Sequence, residues 1–250
     1  MKIVKTTHTS KKTGVKSSKW SIVLHVGDTK GDVKHGYMVA NILAVAETVT
    51  PEQWQDGANW YPKAFEDCIA IAQLSGVDIV KVAGVVAAIS PMLRWDKNLR
   101  YAQRICVNFM SGKLTAENAH DGGYGVFGPN VAKAVRILSI ADSDAPEFDI
   151  VSAISKVLDS ADGPKIKRFF LNIVGRRDVV TIDRHAARIA FFPRDIVCGS
   201  SGNWKLTSGN FTDIESAYLH AAQLLDVCPV TLQAATWCTV AASGVDHETE

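Results

Sequence analysis

The chain has 250 residues, 47 % of them apolar and 21 % charged, with a formal net charge of +1. That length suffices to bury a sizeable core as one domain or as two lobes sharing an interface, and the composition is ordinary for a soluble globular protein. No apolar run reaches the roughly eighteen residues of a membrane span, and the near-neutral charge argues against tight nonspecific binding of duplex nucleic acid by the chain as a whole.

The first forty residues differ from the rest. MKIVKTTHTSKKTGVKSSKW lacks the apolar stretch of a signal peptide, so a cytoplasmic location is expected. Lys2, Lys5, Lys11, Lys12, Lys16 and Lys19 precede the first acidic residue, Asp28. Such an arm either holds a phosphate backbone or is an edge strand guarded by lysines. Lys19 to Val26 alternates and is β-branched, and Gly27-Asp28 and Lys30-Gly31-Asp32 are turn signals, which predicts a small β-hairpin or a loose extension over 1–45. From residue 46 to 243 the pattern is helical. Thr50-Pro51-Glu52 reads as a cap with proline in the first turn. Trp60 to Leu74 carries a helical apolar stripe, and Asp78 to Ile89 is almost wholly apolar and reads as a core helix ended by Ser90-Pro91. Further helices are predicted over Asp96–Met110, Asn130–Ile140 after the turn GGYGVFGPN, Asp149–Leu158, Lys165–Val174, Arg184–Phe191, Thr212–Leu225 and Thr231–Ala242. Residues 192–207 read as a loop and 244–250 as a flexible tail. About nine helices without βαβ alternation make the fold class mostly α with a small N-terminal β extension.

Five cysteines with no CxxC pair and no zinc-finger spacing predict reduced thiols, most of them small core residues, and no metal site. Asp183 is the position of greatest chemical interest. It stands where the apolar run Val179, Val180, Thr181, Ile182 meets a helix start at Arg184. A carboxylate there accepts first-turn N–H groups and is held rigid and ionised, either as a cap alone or as a fixed charge facing a site.

In the stretch from Gly163 to Arg188 the residues Gly163, Lys165, Asn172, Asp183, His185 and Arg188 fall where the helix-hairpin-helix (HhH-GPD) DNA glycosylase superfamily, whose bifunctional branch includes endonuclease III, carries its hairpin and its VDxHVxR-type element. The segment GVVAAISPMLRWDKNLRYAQRI resembles the superfamily's early helix, polar turn and following helix. Over roughly residues 50–240 the chain is similar to phage-type members of that superfamily. Their marks are a WY pair (Trp60-Tyr61), an ISPxxxWxxN element (Ser90 to Asn98), a GPK…N…IDRHAxRIA element (Gly163 to Ala190) and a QAxTW helix (Gln233 to Trp237). The hairpin departs from the superfamily's LPGVG pattern, reading DSADGPK with Ala161 in place of the first glycine, and the iron–sulfur cysteines of some members are absent.

This resemblance implies a two-lobed helical fold with a cleft that binds DNA without a cofactor, and a role in base excision repair or DNA modification; the chain is expected to act as a monomer, in a host cytoplasm if phage-encoded. Asp183 is implied as the carboxylate that stabilises an oxocarbenium-like sugar while the N-glycosidic bond breaks. Lys165 is implied either as an amine that attacks C1′ and gives lyase activity or as a phosphate contact. Lys167 faces elsewhere on the same helix, so one of the two lysines reaches the site. A flipped base needs apolar walls, for which Met92, Trp95 and Tyr101 are candidates, with core packing as the alternative. Ser90 and Asn98 are expected to bond the base or to cap helices, and Asn172 to bond backbone near Asp183. His185 bonds backbone or phosphate or is a satisfied, partly buried histidine, and Arg188 pairs with a carboxylate. Phe127 or Tyr124 is a wedge into a strand or part of a connector. Three functions stand: a DNA glycosylase, a phage transferase adding amino-acid or polyamine groups to activated thymine on the same fold, and a non-catalytic DNA-binding module.

Overall fold

α-Helix dominates the computed structural model, which describes residues 2–10, 16–23, 25, 27–121, 123–141, 148–159, 164–191 and 208–242. Two antiparallel strands, β1 (Lys2–Thr9) and β2 (Lys16–Val23), come first. Ten helices follow among the described residues: α1 (Lys30–Ala46), α2 (Pro51–Ser75), α3 (Ile79–Ile89), α4 (Trp95–Met110), α5 (Gly128–Leu138), α6 (Ile150–Leu158), α7 (Lys165–Ile173), α8 (Arg184–Phe191), α9 (Ser208–Leu225) and α10 (Pro229–Ala242).

Local hydrogen bonding explains most of the helix starts. Asp78 accepts the N–H groups of Val80 and Lys81, and Asp149 accepts that of Val151. Thr50 and Gln53 form a reciprocal box around the proline that opens α2. The helix expected at Trp60 is the continuation of α2, which runs for 25 residues with Pro62 inside it. Lys30-Gly31-Asp32 is not a turn but the first turn of the 17-residue α1. Thr29 accepts the Asp32 N–H while the Asp32 carboxylate accepts the Thr29 N–H at 2.8 Å, a capping box that outweighs the local turn preference of glycine. The predicted loop at 192–207 lies outside the described residues, as does Cys198.

The chain divides into two compact units, one of Met1–Trp60 with Arg177–Glu250 and one of Tyr61–Arg176. The first has a core of α1, α8, α9 and α10, centred on Ile42, Leu43, Ile182, Ile189, Phe211, Ile214, Tyr218 and Leu232. Its hairpin is seated on this core by Ile3 and Trp20, and the Trp20 indole donates to Glu47 Oε1 at 2.8 Å just past the end of α1. α2 approaches α10 so closely at Gly57 that an added Cβ would stand 2.5 Å from the Ala235 backbone nitrogen. The second unit is arranged around α3, buried from Lys81 to Ile89 and packed against α4, α5, α6 and α7. Cys68 and Cys106 are buried in that core, where burial pushes both thiols up to about 12.

Candidate functional site

In the first unit the segment leading to Asp183 is fixed before the helix begins. The Val180 N–H donates to Oε1 of Glu215, a buried carboxylate of α9, at 2.9 Å, and Val180 and Ile182 are wholly buried. An extended segment has no backbone ladder of its own here, so this side-chain acceptor supplies the bond. Asp183 follows, half-buried, and its Oδ1 accepts the Ala186 N–H at 2.8 Å. The carboxylate therefore caps α8 and lies against the positive end of that helix. No other hydrogen bond of this carboxylate is formed among the described residues.

Around it stand groups from its own helix and from α9 and α10. His185 is 8 % exposed and meets the Trp237 ring of α10 edge-on, with centroids 6.3 Å apart. Two of the sequence elements singled out above, IDRHAxRIA and QAxTW, thus meet in one place. Tyr218 of α9 is fully buried, its hydroxyl 3.5 Å from that of Thr236. Burial holds the phenol above its ordinary range, the contact with Thr236 works against this, and the negative charge of Asp183 adds to it. Tyr218 and Glu215 were not singled out from the sequence, because a partner 35 positions away leaves no periodic trace. Arg188 is half-buried on α8.

The second unit holds most of the remaining candidates. Ser90 closes α3: its N–H and its hydroxyl both donate to the Ala87 carbonyl, at 3.3 and 2.9 Å. This tightened last turn diverts the Ser90 N–H from the Val86 carbonyl, which instead accepts Nδ2 of the buried Asn98 at 3.2 Å. Asn98 is therefore a core bracket between α4 and α3, and its Oδ1 is buried and accepts no hydrogen bond. Between them the chain turns through Met92, whose φ of 63° is rare for a side-chain-bearing residue and whose side chain is 97 % exposed. Met92 is no part of an apolar wall within this unit. Trp95 is half-buried, donates its indole N–H to Asp67 Oδ2 at 3.0 Å and packs edge-on to Phe169, which in turn meets Tyr61.

Lys165 is the first residue of α7 and half-buried, in the unit of Tyr61–Arg176, whereas Asp183 belongs to the other unit. Lys167 is paired with Asp159 at 2.9 Å. Asn172 is fully buried and donates to the Arg176 carbonyl at 3.0 Å, within the turn that leaves α7 through Gly175. Gly163 and Ala161, and with them the centre of the expected hairpin, lie outside the described residues. In the loop before α5, Tyr124 is held by Asn108 and lies under the Arg104 guanidinium, while Gly125, at a φ of 69°, is pressed onto the Tyr101 ring. Tyr101 is thus a seat for this loop, and Phe127 is left 72 % exposed beside it. A groove of about 580 Å³ on the same unit, lined by buried Ala119 and Val135 and exposed His120 and Arg136, contains none of the candidate residues. Among the described residues no group of three or more His, Cys, Asp or Glu is gathered to hold a metal ion, and no single helix is long and apolar enough to cross a membrane.

The chain belongs to a family of unknown function, DUF7178, whose model matches residues 27–244. No curated protein and no solved structure matches it.

Proposed function

We propose that this member of the DUF7178 family is a DNA-acting enzyme of the helix-hairpin-helix glycosylase kind, which takes a modified or damaged base out of the stack and cleaves its N-glycosidic bond with Asp183. The observation that carries this reading is the setting of that carboxylate. It is clamped at the mouth of α8 by the Ala186 N–H, partly open to solvent, at the end of a segment whose own backbone is locked by Glu215. Cleavage builds positive charge on the sugar ring, and a carboxylate that is already oriented stabilises it without reorganising at the moment of reaction.

Two further features support the reading. An exposed apolar side chain on a backbone held at positive φ, as at Met92, is suited to enter the gap a flipped base leaves. Lys167 is occupied by Asp159, so Lys165 is the better candidate for an amine that attacks C1′. In that step the Lys165 nitrogen forms a bond to C1′ as the base leaves with the glycosidic electron pair; loss of the nitrogen's proton and opening of the C1′–O4′ bond give the imine, and removal of a C2′ proton then expels the 3′ phosphate and cleaves the strand.

The test is incubation of wild type and Asp183→Asn with duplexes carrying uracil, 5-hydroxymethyluracil, 8-oxoguanine or a thymine–guanine mismatch, with products read on gels with and without alkali. Alkali-revealed cleavage reduced by about 10²-fold or more in the variant is the expected result. A borohydride-trapped adduct that Lys165→Gln abolishes would assign the lyase step. Intact bases throughout, with DNA still bound, would overturn glycosylase chemistry and leave base-modifying transfer or binding alone.

A further inference from the structure

We propose that the β1–β2 hairpin is a cationic ribbon that grips the phosphate backbone of duplex DNA, outside the part of the chain that the family match covers. The choice of DNA as partner rests on the reading of the body as a DNA enzyme; the ribbon's own chemistry is independent of it. Residues 1–27 carry six lysines and no carboxylate. The family match begins at residue 27, so this charge lies outside the matched region.

The two faces of the hairpin are chemically distinct. The inner face is used for seating, with Ile3 and Trp20 on the core and Lys5 neutralised by Glu47 and set over the Trp20 ring. Alternation places Lys2, Val4 and Thr6 of β1 on the other face beside their register partners Val23, Ser21 and Lys19 of β2. Lys2 and Lys19 lie on this outer face, and Lys16 lies beside Thr9 at the far end of the other; all three are exposed and form no ion pair among the described residues. Among the described residues each strand has one neighbour, so the ribbon is two strands wide. With strands about 4.8 Å apart and eight residues long it has the width that enters a B-form major groove of about 12 Å and a length of about 27 Å. Lysines with interspersed hydroxyls suit phosphate oxygens. The outer face presents valines but no aromatic or long aliphatic side chain for insertion into lipid.

The experiment measures binding of the full-length protein to an undamaged 20-base-pair duplex by fluorescence anisotropy across a salt series. Wild type is compared with the triple variant Lys2→Gln, Lys16→Gln, Lys19→Gln, which leaves the Lys5, Trp20 and Glu47 seat intact. A control loses the same charge from the other unit at Lys63, Lys113 and Lys156. The ribbon variant is expected to lose about 2 to 3 units from the slope of log K against log salt, and to bind at least about tenfold more weakly at physiological salt, with the control near wild type. An unchanged slope, an equal loss in the control, or wild-type binding to anionic phosphatidylserine vesicles but not to the duplex would each overturn the proposal. Failure of the enzymatic reading is separable: base release that depends on Asp183 with no slope change sinks only the ribbon, and a slope change without base release sinks only the glycosylase.

Discussion

Asp183 is both a cap and the candidate catalytic carboxylate, and the two roles separate by substitution. Asparagine keeps an acceptor for the Ala186 N–H, so Asp183→Asn is expected to unfold within about 0.5 kcal/mol of wild type, whereas Asp183→Ala leaves that donor bare and costs about 1 kcal/mol. Urea unfolding followed by circular dichroism reads both. Stability retained in Asp183→Asn alongside lost base release would assign the loss to charge; equal destabilisation by the two would mean that the oxygen at this position does not cap in solution. The position was legible in the sequence because a helix start is signalled within four residues. Its surroundings were not: Tyr218, Glu215 and Trp237 reach Asp183 and its neighbours from α9 and α10. Asn98 teaches the same lesson in the other unit, since its bond to Val86 follows from how α3 ends, which Ser90 decides.

At the scale of elements, two contacts carry predictions. α2 and α10 meet at Gly57, where the nearest atoms to an added Cβ are the backbone of Ala235 and cannot rotate away. Gly57→Ala would ordinarily favour a helix, yet here it is expected to destabilise by about 1 to 3 kcal/mol as the helices are forced apart. A melting temperature that rises instead would show that this crossing is looser than described. α1 and α9 meet through His35 and His220, whose rings stack with Nε2 and Nδ1 3.1 Å apart. Burial, then the neighbouring His220, lowers the His35 pKa, while Asp213 and Asp32 oppose this. A depressed histidine takes up its proton more readily in the unfolded chain, so stability is full above pH ~6.5 and falls as pH drops below it. Lys34 pairs with Asp213 on the same two helices and leaves less of that carboxylate to offset a second positive charge. His35→Gln is expected to flatten the decline in melting temperature between pH 7.0 and 5.5, and an identical decline in both proteins would exclude His35 as its source.

For the whole molecule, chain order and spatial order differ. The unit of Tyr61–Arg176 is continuous in sequence, whereas the other is assembled from both ends of the chain. A fragment spanning 50–176 keeps the Thr50–Gln53 box at the start of α2 and the entire packing around α3. It is expected to be helical and to melt cooperatively on its own, as a unit with its own core does. A featureless melt would mean that this core depends on the rest of the chain. The fragment 1–60 is expected to show no such transition, because α1 is left without α8, α9 and α10.

Short-range chemistry governs the features that could be read along the chain. Capping residues such as Asp78 and Asp149, the apolar stripe of α3 and the junction at Asp183 are written within one helical turn, where backbone donors and acceptors choose their partners. Even there, Thr29 and Asp32 were hidden by a glycine between them, because a turn and a helix start use the same residue types. The mostly helical class followed from these local signals summed along the chain. Packing alone sets α1 with α8, α9 and α10, brings Gln53 to Thr239 from 186 positions away, and turns His185 to Trp237. Such pairings are selected by burial of complementary surfaces, a property of two elements together that neither carries as a pattern of its own.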